Sequence, residues 1–440
     1  KMEKGKTFSL KYIIYRYKPN KNMKGTARYL LVSAITLLCW YKGMSQNTSS
    51  PYSIIGIGDL EESYFNRTSG MANTGVAYRS KLYLINNNPA SYSALQEQFF
   101  VVEGAARGKI VSYYSDNLIS NTNQTRDFSV ERFSLGIKVK KWWGSSVGLM
   151  PFSTANYSFT GKKSIQGTNI STTADYDGSG GVNKAYWDNG FALGKHVSVG
   201  VSAAYLFGSL KQTETLSGTD VSDVITTTKN IFLRNLYFNY GAQYYTKLTK
   251  KWDLSLGGTY ANQTDLAAEY TSDVSTSTTS IHNEVTKNDY FKLPNSVSAG
   301  IVLTKDKRFS MLADYRYQDW STLNCKGSGY SLRNSNRASV GVEFSKLQQV
   351  WPMVIEKVFY QAGLFYSDSY LSVNNQQIKD MGVSVGLGFN SKRSTLSYML
   401  GFEYGIRGTK SDNLIQERYG KLTFTLSYKD VWYTKGVKYN

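Results

Sequence analysis

The stretch MGVSVGLGF, Met381–Phe389, carries a bulky side chain at every second position, with glycine or serine at most of the places between. Period two sends the two sets to opposite faces of a β-strand. The same texture returns in FSLGIKVK (Phe133–Lys140), VSVGVSAAYLF (Val197–Phe207), VSAGIVL (Val297–Leu303), ASVGVEF (Ala338–Phe344) and LTFTLSY (Leu422–Tyr428). Fourteen candidate strands fit between residues 98 and 428, among them single strands at 145–160, 183–194, 251–271 and 283–304. A soluble protein with that many strands of one phase would need a further apolar surface to cover them. A transmembrane antiparallel β-barrel instead presents the bulky phase to lipid.

The connections support the barrel. Long polar segments, such as SDNLISNTNQTR, the region around NISTTADYDGSGG, TETLSGTDVSDVITTT and SDVSTSTTSIH, alternate with short basic ones such as KKWWG, GKH, TKKW and NSKR. Long outer loops and short periplasmic turns are the habit of outer-membrane barrels. SKLQQVWPM is longer than that parity predicts. Trp142, Trp143 and Trp252 beside the short turns suit an interfacial aromatic girdle. Composition agrees: 35 Tyr, 38 Gly and only 6 Pro in 440 residues describe a β-rich wall. After residue 50 no run of about 18 apolar residues exists, so helical spanning is excluded there.

Residues 1–45 differ in kind. A Lys-rich start runs into YLLVSAITLLCW and then Met44-Ser45, the pattern of a cleaved signal peptide, with Met23 as a better-placed start. This predicts export to the outer membrane of a Gram-negative bacterium. The net charge of +19 owes ten Lys/Arg and one Glu to that segment, so +10 remains and a nucleic-acid partner loses about half of its support. With Cys39 removed, Cys325 is the only thiol and no intramolecular disulfide is available.

If the bulky phase faces lipid, the other phase faces the lumen, and there Glu103, Arg107, Asp314, Arg316, Glu343, Glu403 and Arg407 appear. Their phase fits, because a lipid-facing charge costs about 2–4 kcal/mol near the midplane. These residues are expected to pair with one another or with a plug. No enzyme is expected. His196 lies in the turn GKHVS and His282 in a Ser/Thr-rich outer loop, which leaves neither a His-based catalytic group nor a metal site, and no cofactor is implied. The GSGG run, Gly178–Gly181, lacks the strand-to-helix setting of a phosphate loop and reads as a flexible outer loop.

Two features break the repetition. LINNNPASYSAL, Leu84–Leu95, is poor strand material and reads as an irregular turn rather than a helix start. Pro151 stands inside the third candidate strand, where a missing N–H breaks a ladder bond. Ahead of the wall, SGMANTGVAYRSKLYLINNNPASYSAL (Ser69–Leu95) resembles the N-terminal hatch of outer-membrane transport proteins of the FadL/TodX type. KLPNSVSAGI (Lys292–Ile301) resembles that family's Leu-Pro-x-Ser strand entry. Ser91 stands where Gly is usual after Asn-Pro-Ala, and a tail, residues 429–440, follows the last strand.

The resemblance implies an all-β, fourteen-stranded barrel at 98–428 whose lumen holds a hatch at 46–97. Gly70, Gly75, Asn88, Pro89 and Ala90 would be its hatch and gating residues. It implies passive uptake of hydrophobic, fatty-acid-like small molecules, with lateral exit near Pro151 and outer-membrane lipids around the wall. The alternative is a non-transporting subunit of an outer-membrane secretion or assembly complex, contacting other barrels or periplasmic proteins. The polar outer loops, poor in large apolar residues, weigh mildly against uptake.

Overall fold

The computed structural model describes residues 50–115, 123–164, 171–217, 223–276, 279–323, 326–327, 329–350, 353–391, 395–411 and 414–431. The expected signal peptide and most of the tail lie outside these. Residues Gln46–Asn440 form one compact unit, hatch and wall together.

Among the described residues, twenty strands form one antiparallel sheet. They are β1 (Asp59–Leu60), β2 (Phe99–Tyr114), β3 (Asn123–Lys140), β4 (Trp143–Thr154), β5 (Tyr157–Ser164), β6 (Ser171–Leu193), β7 (Val197–Ser217), β8 (Ile225–Lys247), β9 (Trp252–Ala261), β10 (Thr264–Thr276), β11 (Ser280–Leu293), β12 (Ser296–Lys305), β13 (Phe309–Gln318), β14 (Lys326–Gly327), β15 (Tyr330–Leu332), β16 (Ser335–Val350), β17 (Met353–Val373), β18 (Gln376–Asn390), β19 (Leu396–Arg407) and β20 (Gln416–Val431). β20 pairs with β2 from Val431–Phe99 to Gln416–Tyr114, which closes the sheet. Counting β4 with β5, β9 with β10 and β11 with β12 as broken wall strands, the barrel has fourteen staves. β1 belongs to the hatch, and β14–β15 form a small hairpin beside β17.

The phase of MGVSVGLGF falls as read. Met381, Val383, Val385, Leu387 and Phe389 point outward and are exposed, while Ser384 is buried against the hatch. Around the wall the same holds for Leu364, Phe402, Leu422 and Phe424, which form the belt a bilayer would cover. Trp142, Trp143 and Phe191 stack at the foot of β4 and β6 with centroids 5.9–6.3 Å apart, as an interfacial girdle should.

Several expected boundaries were wrong. The candidate strand 145–160 breaks at Ala155–Asn156, because Gly180 and Gly181 in facing β6 adopt left-handed dihedrals and bend it. Asn156 Oδ1 accepts the Gly180 N–H at 3.1 Å to seal the bend. GSGG is therefore strand, not flexible loop, and it supplies the conformation that the bend needs. Strand 251–271 breaks at Asn262–Gln263, and 283–304 breaks opposite it at Pro294–Asn295, where Pro294 has no N–H to give. Asn295 Oδ1 takes up the Gln263 N–H at 2.8 Å instead. His282 lies in β11 rather than in a loop. SKLQQVWPM is mostly strand, shared between β16 and β17. The outer connection from β17 to β18 is only Asn374-Asn375, both with positive φ, the dihedrals of a tight hairpin. β20 continues past 428 to Val431, so the start of the expected tail is wall.

Candidate functional site

The hatch carries 3₁₀ turns at Pro51–Ile54, Arg67–Met71 and Pro89–Ala94. The asparagine run is not an irregular turn. Pro89 opens the third helix from its first position, where its fixed φ is favourable and its missing N–H costs nothing. Asn88 caps that helix, its Oδ1 accepting the Ala90 N–H at 3.0 Å. The Asn88 Nδ2 reaches the carbonyl of Val76 at 2.9 Å and those of Ala242 and Gly258 in the wall at 3.2 Å. Asn86 and Asn87 accept from Asn66 Nδ2 at 2.7 and 2.9 Å, and Asn87 donates to the Asn73 carbonyl at 2.9 Å. The run thus staples three passes of hatch backbone to each other and to the wall.

Small wall residues let the hatch backbone come close. A Cβ on Gly190 would lie 2.6 Å from the Pro89 carbonyl oxygen, and one on Gly363 2.5 Å from the Met71 carbonyl carbon. Gly70 packs against Gly386, and Gly200 against Ala90. The small phase of the strand pattern is the footprint of the hatch.

Charged groups complete the attachment. Arg67 Nε and Nη2 each donate to Glu343 at 2.9 Å, and Nη1 and Nη2 donate to Glu356 at 2.6 Å. Its guanidinium lies 3.9 Å from the Phe359 ring centroid and 4.5 Å from that of Tyr83. Asp314 accepts the Gly75 and Val76 N–H groups at 2.6 and 2.9 Å. Arg107 pairs with Glu61 at 2.6 Å and with Glu131 at 2.8 Å, Arg407 with Asp59 at 2.6 Å, and Arg316 with Glu62. Glu103 accepts the Leu84 N–H and pairs with Arg132, each at 3.1 Å. Glu403, expected on the hatch, pairs along the wall with Lys421 at 2.9 Å. Burial would raise the Glu61 carboxyl, but Arg107 and Lys421 beside it hold it below the usual carboxylate range. Among the described residues no group of three or more His, Cys, Asp or Glu is arranged for a metal.

The β3–β4 ladder ends at Phe133–Leu149. Beyond it β3 stays in the wall on β2, whereas β4 carries Pro151 inward and follows β6. The free edge of β4 is taken by the hatch, since β1 pairs Asp59 and Leu60 with Thr154 and Ser153. The seam so left opens on a cavity of about 880 Å³ whose lining includes Val130, Glu131, Met150, Pro151, Phe207 and Phe232.

Sequence reasoning missed two parts of this site. Arg67, Glu356 and Arg132 are central to the attachment, and none of them was among the expected lumen charges. It also missed that the lumen beyond the hatch is packed with apolar side chains. Ile57 from the hatch, Leu206, Leu210, Leu233, Leu266 and Leu293 from the wall, and Trp320 from the β13–β14 connection form one buried cluster. Trp320 is fully buried and stacks on Tyr370 at 4.4 Å. The signal was present as inward-phase leucines beyond the membrane-spanning length.

The fold matches solved barrels at low sequence identity. A FadL homologue of Pseudomonas aeruginosa aligns over 86% of this chain and 100% of its own at 12% identity, with a TM-score of 0.60. The toluene transporter TodX of Pseudomonas putida aligns over 86% and 100% at 14% identity, with a TM-score of 0.57. The chain therefore has the fold of an outer-membrane FadL-like barrel. No protein of curated function matches it in sequence. A family model described as BamG matches residues 27–440.

Proposed function

From the chain's membership of the BamG family we propose that it is a non-conducting barrel subunit of an outer-membrane protein secretion or assembly complex. The observation that carries this reading is the packed lumen. The hatch is held by buried ion pairs on one side, and on the other the Trp320–Leu206–Leu266 cluster fills the space an entering solute would need. A barrel closed at both levels offers its wall, rather than its interior, to other molecules. The family's name hints in the same direction. Reconstituted protein should show no conductance and no uptake of long-chain fatty acids or toluene above empty vesicles. Gentle extraction of native membranes should return it with stoichiometric outer-membrane or periplasmic partners. A monomer carrying bound lipid would overturn the reading.

A second reading, passive uptake of hydrophobic molecules with lateral exit, is favoured by the cavity at Pro151. Pro151→Val should let β4 rejoin β3 and abolish such uptake. Unchanged uptake by a correctly assembled variant would refute the lateral route.

A further inference from the structure

We propose that the short-turn rim where the β8–β9 and β12–β13 connections meet binds the headgroup of an anionic phospholipid, whose acyl chains lie on the wall beside it. The inference goes beyond both readings above and depends on neither. Its frame is one rung of the sheet: Trp252, Lys305, Phe309 and Phe344 are register partners across β9, β12, β13 and β16. The rung shares the outward phase of Leu256, Ile301, Met311 and Val342, which are exposed. Toward the turns it is bordered by exposed cations, Lys250 and Lys251 ahead of β9, Lys307 and Arg308 ahead of β13, and Lys346 next outward along β16. Lys305 Nζ itself lies 5.6 Å from the Trp252 ring centroid. The acids in these two connections and the strand ends beside them are Asp253 and Asp306. Among the described residues no ion pair holds any of these six cations. Backbone contacts brace the corner: the Asp306 N–H donates to the Lys251 carbonyl at 2.8 Å, and the Ser345 N–H to the Arg308 carbonyl at 2.7 Å.

A solvated rim would mix its charges, as the opposite rim does. There Lys163 pairs with Glu214, and Asp175, Asp177, Asp319 and Asp368 stand among the lysines. The braced corner instead gathers one sign. Anionic headgroups attract Lys and Arg that lie within a Debye length of the surface. Tryptophan rings settle at headgroup depth, so Trp252 sets the height at which a phosphate would meet these cations. In the other direction along the same strands the next outward rungs are Leu254–Leu303–Met311–Val342 and Leu256–Ile301–Ala313–Val340. They carry no charge, and small Ala313 between Ile301 and Val340 leaves a shallow track for a chain. Cations on one side of Trp252 and hydrocarbon on the other describe an amphiphile with a charged phosphate at one end. A soluble acidic protein could meet the turn cations from below, but Lys305, in the outward phase, is turned to the bilayer side of the wall. That favours the lipid.

The test is photo-cross-linking of the full chain in vesicles of equal parts phosphatidylglycerol and phosphatidylcholine. A benzophenone amino acid is placed at Met311 and, as control, at Leu422 on another part of the wall, and the lipid adducts are weighed by mass spectrometry. Met311 should take phosphatidylglycerol over phosphatidylcholine roughly tenfold, what one or two cations beside a charged headgroup amount to. Leu422 should show a ratio near one. Combining Lys250→Gln, Lys251→Gln, Lys307→Asn and Arg308→Gln should bring the Met311 ratio below about twofold. Asparagine suits position 307, whose φ is 56°. Heat-modifiable gel migration checks that this variant is assembled; if it is not, Lys250→Gln with Lys251→Gln alone should still lower the ratio. About 1 M salt, where the Debye length is about 3 Å, should abolish the preference. Inorganic phosphate, at ionic strength matched with chloride, should leave it unchanged. A wild-type ratio near one at Met311, a ratio that the charge variants do not move, or an equal preference at Leu422 overturns the proposal. Displacement by inorganic phosphate would mark a site for the free anion, and Met311 adducts to a polypeptide in native membranes would assign the corner to a protein; either result also overturns it.

Discussion

Arg67 offers the sharpest test of how the hatch is held. Its side chain is 4% exposed and is shared by two carboxylates, Glu343 at 4% and Glu356 at 15% exposure. Arg67→Met would keep most of the volume and leave both acids without their cation. Breaking a buried pair from one side costs about 3–5 kcal/mol. Glu343 would keep the Tyr78 hydroxyl at 2.9 Å and Gln361 Nε2 at 2.7 Å, and Glu356 the Ser345 hydroxyl at 2.6 Å, so the lower end applies. At about 1.4 kcal/mol per decade, some 3 kcal/mol raises the undocked population of the hatch roughly a hundredfold. Hydrogen exchange of the Arg67–Met71 and Ala90–Ala94 amides, in folded barrel, reads that population directly. Adding Glu343→Gln and Glu356→Gln should return part of the protection, because no buried charge is then left alone. Protection unchanged within about twofold in Arg67→Met would refute the claim that this cluster anchors the hatch.

Three further outcomes follow from the contacts. Asn88→Ala removes a helix cap, about 1 kcal/mol, and takes one of two donors from the Val76 carbonyl, which keeps Gln243 Nε2 at 3.0 Å, so that about 0.5–1.5 kcal/mol more is lost. Exchange at Ala90 and Ser91 should therefore accelerate more than in Asn86→Ala, and equal effects would contradict the assigned roles. Gly190→Val drives a side chain into the Pro89 carbonyl and the Ser93 N–H, both backbone, and should yield barrels whose hatch is cut by added protease. A protected hatch in that variant would show that the close approach is not needed. Trp320→Ala empties the centre of the outer cluster at about 3–5 kcal/mol and, in reconstituted vesicles, should produce the first measurable leak of small solutes. Continued tightness with bound apolar probe absent would show that the cluster is not the seal.

The wall was legible because its two faces obey different physics. Lipid selects bulk at Val383 and Val385, and the approaching hatch selects glycine and serine at Ser384 and Gly386, so the pattern survives strand by strand. The breaks at Asn156, Asn262 and Asn295 were not legible, since an asparagine that caps a bent strand looks like one that starts a loop. The hatch could be placed by its resemblance, yet its capped helix at Pro89 could not be read, because the partners of Asn88 lie up to 170 residues away. The seam was visible only as Pro151; that β4 leaves β3 there depends on β1 and β6, which no local pattern encodes. Arg67 was passed over because nothing near it in sequence announces Glu343 or Glu356.

The glycine-lined inner wall has a consequence for how such a chain can be built. Where the hatch docks at Gly190, Gly200, Gly363 and Ser384, the inward side chains of the wall are hydrogen atoms and a hydroxyl, and the barrel has no filling of its own there. That filling is the segment just ahead of β2, and the ladder that closes the sheet, β2 with β20, joins its end to the last strand of the wall. A wall closed without residues 50–97 would enclose a void at that level, so the wall and its filling are expected to fold as one coupled unit.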